Sequence, residues 1–269
     1  MKQYKLFVLD LDGTLYRGSQ PIEEARPFME ELKRRGQDYV FLTNNSTKTP
    51  EDVQAQLASF GIEAYPEQVY TTSMMTARFL VNKKKDPLVY VVGEKALRDA
   101  LTMAGCQLVE EDEQLKQCDF VVVGLDRQVT YEKLAKATIA IREGATFIST
   151  NADKALPSER GLVPGNGALT ALIQTATGRD PLFIGKPEPY MLEMILKEKG
   201  LSKDEVLVIG DNYETDIMTG IRAGVDTAIV FTGFTQPEDL AKVSQLPTYQ
   251  WQTLLDAFAE DWKGSQPVK

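Results

Sequence analysis

Short apolar runs alternate with amphipathic stretches along almost the entire chain. The runs at 5–10, 39–43, 68–71, 88–92, 119–123, 146–149, 182–184, 206–209 and 227–231 predict strands. They are continuous rather than alternating, as strands covered on both faces are. Between them, apolar positions recur at helical spacing over 22–35, 50–60, 73–84, 94–103, 131–143, 167–177, 189–199, 214–222 and 251–259. Thr49-Pro50 gives one helix a cap and a first-position proline, and Thr130 precedes another helix. Strand and helix in turn predict parallel α/β sheets with helices on both faces. Only 264–269 (GSQPVK) reads as loose.

Composition narrows the chemistry. The chain has 269 residues, 43% of them hydrophobic and 26% charged, enough for one large or two modest domains. A net charge of −9 opposes nucleic acid and anionic membrane as partners. Lys83–Lys85 sits where a helix should end, a place that suits solvated cations. No stretch approaches a membrane span, and the first residues are too short and too acidic for a signal peptide. Two cysteines, Cys106 and Cys118, without a CxxC, fit a reducing cytoplasm. The chain has no histidine, which excludes a Ser-His-Asp triad and histidine-bound zinc. A cysteine phosphatase would need arginine at 112 or 124, where Asp112 and Gly124 stand.

Carboxylates, lysine, hydroxyls or a metal must therefore carry any chemistry, and they collect at strand ends. Asp10-Leu11-Asp12-Gly13-Thr14 follows the first strand. Side chains two apart on an extended segment point the same way, so the two acids are expected to meet there. Adjacent acids repel unless a cation or a shared proton lies between them. The alternative is a plain strand exit with solvated acids. Thr43-Asn44-Asn45-Ser46 ends the 39–43 run and offers a hydroxyl and two amides to phosphate oxygens, or is a polar loop. Lys186, in Gly185-Lys186-Pro187, lacks the flanks of a nucleotide-binding loop, since Asp180 and Pro187 stand where that loop needs glycine and a hydroxyl. Gly210-Asp211-Asn212 with Asp216 puts further acids past the 206–209 strand, either as first-turn helix acids or as ligands for a hard cation.

Asp-x-Asp-Gly-Thr at 10–14, Thr43, Lys186 and GDNYETD at 210–216 occur in that order, each closing a different strand. As a set they resemble the haloacid dehalogenase superfamily, phosphotransferase branch. TNNS, ISTNAD and GKPEP resemble its NagD-like group. The resemblance implies a doubly wound, Rossmann-like core with an α/β cap inserted between Thr43 and Lys186. The core is expected over 1–78 and 181–269, the cap over 79–180. It also implies Mg²⁺-dependent hydrolysis of a small phosphorylated metabolite. Asp10 would be the nucleophile, Asp12 the general acid and base, and Thr43 and Lys186 the phosphoryl holders. Mg²⁺ would sit on Asp10, the main-chain carbonyl of Asp12 and Asp211, supported by Gly13, Asn212 and Asp216. Asn44, Asn45, Asn151 and Asp153 are expected to contact substrate. The loop 151–167 is expected to set selectivity, with Lys154 and Arg160 near the substrate or merely solvated. Gly165-Asn166-Gly167 either offers N–H groups to an anion or simply starts a helix. A dehalogenase or phosphomutase on the same fold, or a phospho-accepting signalling module, are the rival readings. Asp12 argues against the first, and the long insert against the last. Self-association as a homodimer stays open.

Overall fold

The Leu6–Leu9 strand is buried at all four positions and sits in the middle of a six-stranded sheet. The computed structural model describes residues 4–158 and 160–258. Leu6 pairs in parallel with Val206 on one side and Asp38 on the other. The full order is Tyr249–Trp251, Asp226–Val230, Val206–Gly210, Leu6–Leu9, Asp38–Thr43, Val69–Thr71. The chain thus winds away from the first strand in both directions, which opens a crevice at the strands' carboxyl ends. Phe7, Leu9, Phe41, Leu207, Ile209 and Val230 share one core with Phe28, Met29 and Leu32. Those last three lie on one stripe of the Ala25–Arg34 helix, at the three-and-four spacing of an amphipathic helix. Truncating a fully buried side chain such as Leu9 to alanine should cost about 2–5 kcal/mol. The strand ends that carry polar groups are therefore held on a stiff base.

The chain divides into two compact units. Among the described residues the first comprises 4–43, 50–70 and 186–258, and the second 44–49, 71–158 and 160–185. Segments 44–49, 71–78 and 181–185, expected with the core, belong to the second unit. Thr71 caps the Thr72–Lys83 helix by accepting from Met74 N–H, so that helix begins directly at the strand's end. The second unit has its own five-stranded parallel sheet, ordered Leu182–Phe183, Thr146–Ser149, Phe120–Val123, Leu88–Val92, Gln107–Leu108. Tyr90, Val92, Val121, Val123, Phe147 and Ile173 form its core. The architecture is a doubly wound parallel core with an inserted α/β domain.

Three local expectations change. The 151–167 stretch contains an antiparallel hairpin, Ala155–Ser158 with Gly161–Pro164, rather than open loop; Glu159 lies outside the described residues. The 251–259 helix is instead the end of a strand, Tyr249–Trp251, followed by a short 3-10 turn at Leu254–Phe258. Pairing of Trp251 with Val230 outweighs helical periodicity there. The 214–222 helix opens with a wide turn at Tyr213–Ile217 before the α-helix Met218–Ala223. The predicted loose tail at 264–269, and residue 259, lie outside the described residues.

Candidate active site

Asp10 is fixed by the sheet itself. Its N–H donates to Ile209 O at 2.9 Å, extending the ladder one residue past the strand. Gly13 then turns the chain with φ of +98°, a conformation that a side chain would strain. Asp211 follows Gly210, the last residue of the neighbouring strand. Thr43 ends the strand on the other side and is buried. Lys186 lies 4% exposed, and its ammonium donates to Asp10 Oδ1 at 2.5 Å, Asp216 Oδ1 at 2.6 Å and Leu42 O at 3.1 Å. All three of its donors are used.

Asp10, Asp211 and Asp216 each bring a carboxylate oxygen within 4.8 Å of the others. The Thr14 hydroxyl lies between Asp10 Oδ2 at 3.4 Å and Asp211 Oδ1 at 3.3 Å, and its one proton serves either. Asp211 Oδ2 accepts from Phe234 N–H at 2.6 Å, and Asp216 Oδ2 from Asn212 N–H at 3.0 Å. The Asn212 side chain accepts from Glu214 N–H and so caps the turn that carries Asp216. Gly210 is required by that turn, because a Cβ there would lie 2.3 Å from the Cβ of Asp216.

Three carboxylates surround one ammonium, and their titration reflects the imbalance. Burial, then the charges of Asp216 and Asp211, push the Asp10 carboxyl well above the usual carboxylate range despite Lys186. Burial and Asp216 raise Asp211 to about 7. Burial opposes the charge on Lys186, but Asp10 and Asp216 overcome it and hold the ammonium above its ordinary value. Burial with the charges of Asp10 and Asp12 raises the Tyr16 phenol, which stays neutral. An oxygen-only, negatively charged pocket of this kind fits a small hard divalent cation, which would relieve the repulsion. Asp10 Oδ2 and Asp211 Oδ1 make the longest hydrogen bonds in the group and are the best placed to receive it.

Asp12 departs from this cluster. Its carboxylate is exposed and accepts from Gly18 N–H at 3.2 Å, in the small hairpin Tyr16–Arg17 with Gln20–Pro21. Asp12 lies past the Leu6–Leu9 strand, so side-chain alternation alone does not fix its direction, and the Tyr16 phenol feels the charges of both acids. Asn44, Asn45, Asn151 and Asp153 belong to the second unit. There Asn151 donates to Asn44 O at 2.8 Å, Asn44 Nδ2 donates to Asp153 Oδ1 at 3.1 Å, and Asn45 Oδ1 accepts from Thr47 and Lys48 N–H. Asn166 donates to Ser149, Thr150 and Asn151, so it fastens the start of its helix. Lys154 and Arg160 are exposed. Sequence reasoning missed Tyr16 and the Gly233-Phe234 backbone; the Thr-Gly pair after a buried strand was the only signal for the latter.

Residues 7–107 match a family model described as haloacid dehalogenase-like hydrolase, and residues 183–257 one described as HAD-hydrolase-like. The 5′-nucleotidase YutF of Bacillus subtilis strain 168 is 49% identical over 256 residues, covering 95% of this chain and 98% of the relative. An acid sugar phosphatase of Staphylococcus aureus strain USA300 is 48% identical over 260 residues, covering 97% and 99%. Among solved structures, a double-mutant thermostable NPPase from Geobacillus stearothermophilus matches with a TM-score of 0.87 at 47% identity, covering 94% of this chain and 98% of that one. With acids and a lysine gathered at the ends of a doubly wound sheet, these likenesses show that the chain belongs to the haloacid dehalogenase-like hydrolases, among their phosphatases.

Proposed function

We propose that the chain hydrolyses small phosphate monoesters in two steps through a phosphoryl group carried on Asp10. The observation that supports this best is the Asp10–Lys186–Asp216 chain of short hydrogen bonds at the crevice of the sheet. Such a group holds a carboxylate in one orientation without blocking both of its oxygens. In the first step a carboxylate oxygen of Asp10 attacks phosphorus, the ester P–O bond breaks, and Asp12 gives its proton to the leaving oxygen. In the second, Asp12 takes a proton from water, whose oxygen attacks the aspartyl phosphate and releases inorganic phosphate. A covalent intermediate divides one difficult displacement into two. The exposure of Asp12 suits a group that must meet first a leaving group and then water. Thr43 holds the phosphoryl oxygens through its hydroxyl and Lys186 through its charge, which offsets repulsion between carboxylate and phosphate.

Asp10 and Asp211, with the main-chain carbonyl of Asp12, would hold Mg²⁺, which when bound supplies further charge neutralisation at the phosphoryl group and returns Asp10 to its ionised form. Asp216 orients Lys186. The inserted domain, with Asn44, Asn45, Asn151, Asp153 and the 151–167 hairpin, selects the alcohol part of the substrate. The names of the relatives favour nucleoside monophosphates and acid sugar phosphates as the classes to try. No described helix is long and apolar enough to cross a membrane. Cys106 and Cys118 are free and buried, in keeping with a cytoplasmic enzyme. The test is phosphate release from a panel of nucleotides, sugar phosphates and p-nitrophenyl phosphate, with MgCl₂ and with EDTA. Turnover that needs magnesium is expected. Full activity in chelator, or no release from any ester, would refute the reading.

A further inference from the structure

The loop after the Asp226–Val230 strand carries no acid, amide or lysine at 231–235, yet it surrounds Asp211. Phe234 N–H donates to Asp211 Oδ2 at 2.6 Å, and Thr235 N–H to the main-chain oxygen of Asp211 at 3.1 Å. Thr235 Oγ1 in turn accepts from Tyr213 N–H at 2.9 Å, just past the acid. A Cβ added at Gly233 would lie 2.0 Å from Asp211 Oδ2 and 2.4 Å from its Cγ. A Cβ at Gly13 would lie 2.3 Å from the same Oδ2. The carboxylate thus occupies a slot between two glycines on different loops, with room for neither to bear a side chain.

The same loop is tied to the strand end that bears the nucleophile. Thr232 Oγ1 donates to Gly13 O at 2.8 Å, and Arg17 Nε donates to Thr232 O at 2.7 Å. Thr232 is buried, so the first of these bonds is shielded from water. The loop therefore sets Asp211 at a fixed offset from Asp10.

Building on the reading of Asp211 as a metal ligand, we infer that Thr232–Thr235 is a positioning element for the divalent cation. Gly233 gives the Asp211 carboxylate its place, Phe234 N–H fixes its rotation, and Thr232 holds the loop against Gly13. Magnesium demands near-ideal octahedral oxygens at about 2.0–2.1 Å, so a carboxylate displaced by a methyl group cannot serve it well. Gly233 does not occupy the left-handed backbone region, so alanine there meets the Asp211 contact without added backbone strain.

The test uses the whole chain without substrate. Wild type, Gly233→Ala, Thr232→Val and Asp211→Ala are titrated with MgCl₂ alone by calorimetry, and each is melted in EDTA and in saturating MgCl₂. Gly233→Ala should bind magnesium roughly 10–100-fold more weakly, the usual effect of disturbing groups that orient a metal ligand. Its magnesium-dependent rise in melting temperature should shrink in step. A merely structural role would lower the melting temperature equally in both buffers and leave the binding constant unchanged, and that result overturns the proposal. Should Gly233→Ala fail to fold, Thr232→Val decides, with binding about tenfold weaker expected and unchanged binding overturning the proposal. Wild-type magnesium binding by Asp211→Ala would overturn the metal reading and this inference with it. Lost binding in Asp211→Ala beside normal binding in both loop variants would sink the loop's role alone.

Discussion

Replacing Lys186 by methionine should destabilise the metal-free protein far more than a surface lysine would. The side chain is 4% exposed and touches Asp10, which is 11% exposed at its side chain, and Asp216, at 2%. Methionine keeps most of the volume and removes the charge, so the packing change is small and the electrostatic change dominates. Breaking one side of a buried pair costs about 3–5 kcal/mol, because the remaining charge is left without compensation. For a protein of this size each kcal/mol moves the melting temperature by about 2–4 °C, so a fall of about 6–20 °C is expected. The loss should appear in the transition of the first unit, since all three residues belong to it. Scanning calorimetry in EDTA measures it. The deficit should narrow between about pH 8 and about pH 5, because protonating the clustered carboxyls removes the repulsion that Lys186 offsets. A variant melting within about 1 °C of wild type in EDTA at pH 8 would show that the ion pairs carry no net stability and refute the reasoning, since about 1 °C is well under 1 kcal/mol.

Three further outcomes follow from the same geometry. In the folded chain Asp211 titrates at about 7, against 3.8 for an unperturbed carboxyl, so the folded state holds the extra proton between these values; metal-free stability should fall as pH rises through that window, and the magnesium-induced rise in melting temperature should grow across it, as thermal melts at stepped pH would show. Asp12→Asn should slow turnover by roughly 10²–10⁴, and its phosphorylation step, read in a single turnover, should slow more on sugar phosphates than on p-nitrophenyl phosphate, whose leaving group needs no proton; equal losses in that step would argue against an acid at Asp12. Exchanging 151–167 for a relative's hairpin should change the ranking of substrates in the phosphate-release assay and leave the magnesium requirement intact, and the reverse would place that hairpin in the metal chemistry.

Much of the site was legible because a parallel sheet buries its strands on both faces. Leu6–Leu9 and Val206–Gly210 therefore read as unbroken apolar runs, and the acids that end them stand out. Asp10 and Asp211 follow neighbouring strands of one sheet, whereas Lys186, past a strand of the second unit's sheet, and Asp216, in the Tyr213–Ile217 turn, join them through hydrogen bonds. The Gly18 N–H bond to Asp12 was not legible, because Asp12 lies past the strand, beside the turn at Gly13. The Gly233-Phe234 support was hidden for another reason: a Thr-Gly pair after a buried strand is an ordinary loop start, and a backbone N–H donor has no residue-type signal. At 251–259, helical spacing was present, but Trp251 pairs across the sheet, and that contact decides. At the junction near 71, the cap made by the Thr71 side chain lets strand pass straight into helix, so no loop marks where one unit gives way to the other.

The covalent phosphoryl group on Asp10 can be observed directly. Asp12→Asn should still accept a phosphoryl group from p-nitrophenyl phosphate, because the leaving group departs unaided, but should release it slowly for want of a base. Acid quenching within the first turnover, followed by peptide mass spectrometry, should find one added phosphoryl group on the peptide containing Asp10, absent in the Asp10→Asn, Asp12→Asn double variant. Steady product formation with no phosphoryl group on Asp10, or with the group on another residue, would contradict the account.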